Sequence, residues 1–157
     1  MWMNTSSHNV QVVFDNAVSS NIRPTINLGI DDGLSAWNTS AANVSFTKNT
    51  TSDNLIVVID DPNNPHWAWH DPSYSGVTGT GPIMSKFLVV LNVNHLSTTR
   101  THIAHALIHE LGHAIGLADN PYAAPGTQSI MNQHEINPPG TMSAPTSYDV
   151  ESVNILR

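Results

Sequence analysis

The stretch RTHIAHALIHELGHAIGLAD, residues 100–119, decides the reading of this chain. Apolar residues recur through it at helical spacing and Thr98-Thr99 precede it, so the pattern predicts a helix from about Arg100 to Leu117. Inside that helix lies His109-Glu110-Leu111-Gly112-His113. Helix residues four apart lie about 5–6 Å from each other on one face, close enough for two imidazoles to reach one metal ion with bonds of about 2.0–2.1 Å. Glu110, one position past the first histidine, flanks the metal position with a carboxylate placed to act on a water as general base without itself ligating.

Two histidines leave a zinc ion one protein ligand short. Asp119, six residues past His113, would lie about 240° around a continued helix and face away from the metal. Gly116 is placed to break the helix, because glycine takes the left-handed conformation of a helix C-terminus without steric cost and lets Asp119 turn back. The bland alternative is a surface aspartate that ends the helix ahead of Asn120-Pro121.

Together these residues spell H-E-x-x-H-x-x-G-x-x-D, and here the chain resembles the metzincin zinc peptidases. The text from Glu110 to Leu117 is similar to the matrixins, and an aspartate in the third position is similar to the snapalysins. The resemblance implies zinc held by His109, His113 and Asp119, Glu110 as general base, Gly116 as the turn glycine, and Met131 in Ser129-Ile130-Met131-Asn132 as the methionine of a Met-turn beneath the ligands. Met142 is the other downstream methionine, and core packing is the plain alternative for Met131. Gln133 stands where some relatives carry a metal-reaching tyrosine. A rival reading is a gluzincin-type peptidase with Glu135 or Glu151 as third ligand, and another is a non-catalytic zinc-binding module. The activity implied is that of a secreted endopeptidase, extracellular and bacterial, acting as a monomer on protein or peptide substrates, with specificity set in the loop Asn132–Thr146.

The rest of the chain bounds these readings. Its 157 residues are enough for one domain, 1–157, with one core, and with no cysteine any metal site must use His, Asp and Glu. Twelve acidic residues against five basic ones, a net charge of −7, argue against nucleic acid and anionic membranes as partners. No apolar run approaches the roughly 18 residues that span a bilayer, and Met1-Trp2-Met3-Asn4 lacks the pattern of a signal peptide.

Periodicity predicts a strand at Val10–Phe14, a helix at Ile22–Trp37 with Pro24 in its first turn, and strands at Val44–Phe46, Leu55–Ile59 and Phe87–Val93. Pro62 to Pro82 reads as a long surface loop with room for a short edge strand, and Thr146 with Asp149 makes a capping-box start for a final helix whose Val150, Val153 and Leu156 share a face. The fold class expected is α/β (α+β): a twisted mixed sheet with a backing helix, an active-site helix and a C-terminal helix. His102 and His105 continue the ligand stripe and are expected to line the cleft or be partly exposed. His66, His70, Asp71 and His95 are weighed as a second zinc site, and Asp60 and Asp61 as calcium ligands.

Overall fold

The computed structural model describes residues 7–78, 81–120, 129–132 and 142–156, with backbone alone for 72–78 and 81–85. Its elements run β1 (Ser7–Phe14), α1 (Arg23–Asn38), β2 (Ser45–Lys48), β3 (Leu55–Ile59), β4 (Ala68–Thr78), β5 (Gly81–Asn92), α2 (Arg100–Ala114) and α3 (Ser147–Ile155). The strands form one sheet in the order β2-β1-β3-β5-β4, parallel throughout except for β4, which runs antiparallel to β5 at one edge. This is the mixed α/β class expected.

Burial explains each element. The apolar run of β3 lies in mid-sheet, with Ile56 and Val58 fully buried between β1 and β5. Helix α1 buries Ile26, Gly29, Ile30, Gly33, Leu34 and Trp37, the i, i+3, i+4, i+7 stripe of a helix with one face inward. Leu28, off that stripe, is exposed.

Helix α2 starts at Thr99, whose hydroxyl accepts from the His102 N–H, and it is buried on nearly every side. It packs closely on α1: a Cβ at Gly29 would lie 2.6 Å from the Ile103 Cβ, and one at Gly33 would lie 2.9 Å from Leu107. Trp37 adds a buried hydrogen bond from its indole N–H to the carbonyl of Ile108, at 2.9 Å. The residue just before His109 is thereby tied to α1. Helix α3 has the predicted capping box at Thr146 and Asp149; Val153 is buried, Val150 half-buried and Leu156 exposed.

The structure departs from the sequence expectation chiefly between Pro62 and Pro82. Residues 68–78 form an eleven-residue strand, not a loop, and β5 begins at Gly81. Pro72 and Gly76 mask the pattern. Both are tolerated because β4 pairs on one side only, and its register shifts between Ser73 and Tyr74 and again between Tyr74 and Gly76.

Candidate metal centre

Helix α2 places His109 and His113 one turn apart, with ring centroids 4.8 Å apart and ring planes nearly perpendicular. The helix ends after Ala114, three residues before the expected Leu117. Gly116 has φ of 109°, the one positive φ among the described residues. Around it Leu117 N–H donates to the Gly112 carbonyl (2.9 Å) and Gly116 N–H to the His113 carbonyl (3.0 Å), the two bonds of a Schellman end. The chain reverses there. Asp119 comes back with Oδ1 at 3.3 Å from Nε2 of both histidines, which are themselves 3.2 Å apart.

The hydrogen bonds on the far side of each ring fix what these atoms are. Nδ1 of His109 lies 2.8 Å from the Ile130 carbonyl and Nδ1 of His113 lies 2.9 Å from the Leu117 carbonyl. A carbonyl can only accept, so both Nδ1 atoms carry a proton, and in the neutral imidazoles both Nε2 atoms present lone pairs. Two such lone pairs and a carboxylate oxygen therefore converge on one point. His109, His113 and Asp119 form a group able to hold a metal ion, and no other His, Asp or Glu group of ligand spacing occurs among the described residues.

The electrostatics of the group are divided: Asp119 favours positive charge on both rings and burial opposes it. Burial pushes the His109 imidazole down, but Asp119, Glu110 and the Ile130 carbonyl more than offset it and leave its pKa raised. His113 is pushed down by burial and by its neighbour His109. His109 and His113 hold the Asp119 carboxyl below the usual range against the opposing effect of burial. Glu110 is 5% exposed, and its carboxyl is pushed up to about 7, chiefly by burial and further by Asp119, with His109 opposing.

Met131, 2% exposed, packs its sulfur against Gly112 so closely that an added Cβ there would force the thioether to shift. This explains the glycine in the motif, which the sequence reading passed over. The Met131 carbonyl accepts from Asn120 N–H at 2.8 Å, joining the segment after Asp119 to the Met131 turn.

A second unforeseen residue is Asp149. Buried to 1% exposure, it does more than cap α3: its carboxylate accepts from the Ser129 hydroxyl, from Ile130 N–H (3.0 Å), and from Thr146 N–H and Oγ (2.8 Å each). It thereby anchors the turn whose Ile130 carbonyl orients His109. Its cap position was legible, but its second set of partners lies about twenty residues upstream, beyond any local pattern.

The group opens on a cleft of about 450 Å³ lined by His109, Glu110, His113 and Asp119 and by the segment Pro65–His70, which runs into edge strand β4. His70 stacks on His113, centroids 5.0 Å apart, and its pKa is lowered to about 4 by burial and then by His113. His66 meets Trp69 edge-on, and neither His66, Asp71 nor His95 shares a ligand cluster with His70 among the described residues. His105 is fully buried, with Nδ1 at 3.1 Å from the Met142 carbonyl, so it packs in the core instead of lining the cleft; His102 is half-buried. Asp60 accepts from the side-chain amide of Asn94, 34 residues on, and Asp61 accepts from the N–H of Asn63 in a local turn. Gln133, Glu135 and most of the loop proposed for specificity lie outside the described residues, and Glu151 is exposed on α3.

No protein-family model and no curated protein matches the chain. Among solved structures it is similar to a chain described as "Structure of a chaperone-substrate complex", with a TM-score of 0.58 and 12% identity. The match covers 93% of this chain and 30% of that one, so this chain spans less than a third of its length. Likeness at that identity concerns the fold alone. Fold and site together define a mixed α/β chain with a group of two histidines and one carboxylate able to hold a metal ion, beside an edge strand.

Proposed function

We propose that this chain is a zinc-dependent endopeptidase of metzincin type, secreted and acting on protein or peptide substrates. One observation carries the reading: three bare donor atoms, Nε2 of His109, Nε2 of His113 and Oδ1 of Asp119, stand 3.2–3.3 Å from one another. A tetrahedral zinc ion with bonds of about 2.0–2.1 Å sets its donors about 3.3–3.4 Å apart, so the donor set fits zinc in both chemistry and size. Three protein donors on an open cleft suit a catalytic site, since a purely structural zinc takes four.

When bound, the ion supplies Lewis acidity toward a substrate carbonyl and a water. Glu110 takes a proton from the attacking water, the peptide C–N bond breaks, and Glu110 returns that proton to the departing amine. Burial that raises the Glu110 carboxyl gives it the proton affinity this exchange needs. The Ile130 and Leu117 carbonyls keep both imidazoles in the ligating tautomer. Among the described residues no strand pairs with the outer edge of β4, an arrangement that suits an extended peptide.

A buried carboxylate beside the donor group favours this reading over a non-catalytic metal module, which needs no base. Casein digestion by the full chain, with and without a zinc chelator, tests it. Chelator-sensitive cleavage, restored by added zinc, is expected; cleavage indifferent to the chelator, or none at full zinc occupancy, contradicts it.

A further inference from the structure

Asn92, the last residue of β5, is fully buried and takes no part in the metal chemistry. Its Nδ2 donates to the carbonyls of Asp61 (2.9 Å), Asn64 (3.1 Å) and His66 (3.2 Å). Its Oδ1 accepts from the N–H groups of Asp61 (3.0 Å) and Asn94 (3.3 Å), and its own N–H donates to the Trp67 carbonyl (2.8 Å). A segment with no regular structure, 60–67, is thus held by one side chain standing in for the ladder partner it lacks. Only an amide both donates and accepts here, and an aspartate would turn a negative oxygen toward three carbonyls.

That segment leads into Pro65–His70, which lines the cleft together with the metal group. Pro65 and His66 are exposed there, and Trp67 and Trp69 are half-buried. Trp67 packs against the core, whereas Trp69 does not belong to it and has His66, at 6.2 Å, as its ring neighbour among the described residues. Half-exposed ring faces along a cleft that also holds the reacting groups offer edge-to-face or stacked contacts to another ring. Among the described residues no Lys or Arg lines the cleft to recruit an acidic side chain.

We propose that Asn92 is a positioning residue for substrate recognition, fixing segment 61–67 so that the wall from Pro65 to Trp69 receives an aromatic side chain of the bound peptide. The proposal rests on the peptidase reading and goes beyond it by naming a substrate class.

The test uses the zinc-loaded full chain and synthetic peptides in which phenylalanine replaces alanine at successive positions around one cleavable bond. Binding to the Glu110→Ala variant is followed by tryptophan fluorescence, and turnover by the wild type in parallel. At one position phenylalanine is expected to bind about tenfold more tightly than alanine, the scale of one good aromatic contact. The preference should appear in KM and not in kcat, vanish in Asn92→Asp and Trp69→Ala, and return in Trp69→Phe. Should Asn92→Asp fail to fold, Trp69→Ala, outside the core, decides. Equal affinity at every position, or a preference that survives in Trp69→Ala, overturns the proposal. An Asn92- and Trp69-dependent preference in binding, with no cleavage by the wild type, would instead uphold the wall and sink the peptidase reading.

Discussion

On one side of the cleft α2 delivers His109, Glu110 and His113 from a single continuous helix, and one glycine returns Asp119 to them. The cleft's other lining segment, ahead of β4, has no regular structure and is tied down by hydrogen bonds to Asn92. The first side is built from local chain geometry, the 3.6-residue repeat and a left-handed glycine. The second depends on hydrogen bonds that span about thirty residues of sequence. On the proposed reading, chemistry that must be held to a fraction of an ångström sits on the rigid element and recognition on the irregular one.

Changes on the helical side should therefore produce the larger effects. Glu110→Ala keeps the donor atoms and should keep zinc, yet kcat/KM should fall by about 10²–10⁴ because the general base is gone. Steady-state kinetics at matched zinc content measure this. Wild-type turnover would show that the carboxylate has another role.

The same carboxylate makes a stability prediction for the chelated protein. Its pKa is raised by burial to about 7, so between about pH 4.5 and 7 the native state holds a proton that the unfolded chain has released. Stability is greatest below that window and falls as pH rises through it, by a total on the order of 3 kcal/mol. Chelated Glu110→Gln should lose this dependence: near pH 4.5 its urea midpoint should match the wild type, and at pH 8 it should exceed it. Parallel pH profiles for the two proteins would contradict the assignment.

Asp149 shows where even the helical side depends on distant chain. Asp149→Ala frees the Ser129–Met131 turn and with it the Ile130 carbonyl that orients His109. Loss of such support typically costs about 10–100-fold in metal affinity. Asp149→Asn, which keeps most of the acceptor geometry, should cost less. Competition with a fluorescent zinc chelator reads both, and equal affinities in all three proteins would leave Asp149 as a helix cap only.

The same contrast explains what the sequence made legible. The helix, the His109–His113 pair and the turn at Gly116 follow from spacing within twenty residues, and β3 from a plain apolar run. Strand β4 stayed hidden because Pro72, Gly76 and two register shifts interrupt its alternation, and only its place at the sheet edge makes them harmless. His105 sits on the same helix stripe as the ligands, and nothing local distinguishes it from them. It is fully buried, with its ring bonded to the Met142 carbonyl 37 residues on. Asn92 is one asparagine in an Asn-rich chain, singled out only by where β5 ends.

The claim on which everything else depends is that Asp119 completes the donor set, and native mass spectrometry of zinc occupancy in Asp119→Ala, Glu135→Ala and Glu151→Ala tests it most directly. Zinc should be lost in Asp119→Ala and retained in both glutamate variants, with Asp119→His recovering it, because an imidazole can replace the carboxylate as a donor. Full occupancy in Asp119→Ala, with loss in either glutamate variant, would contradict the account.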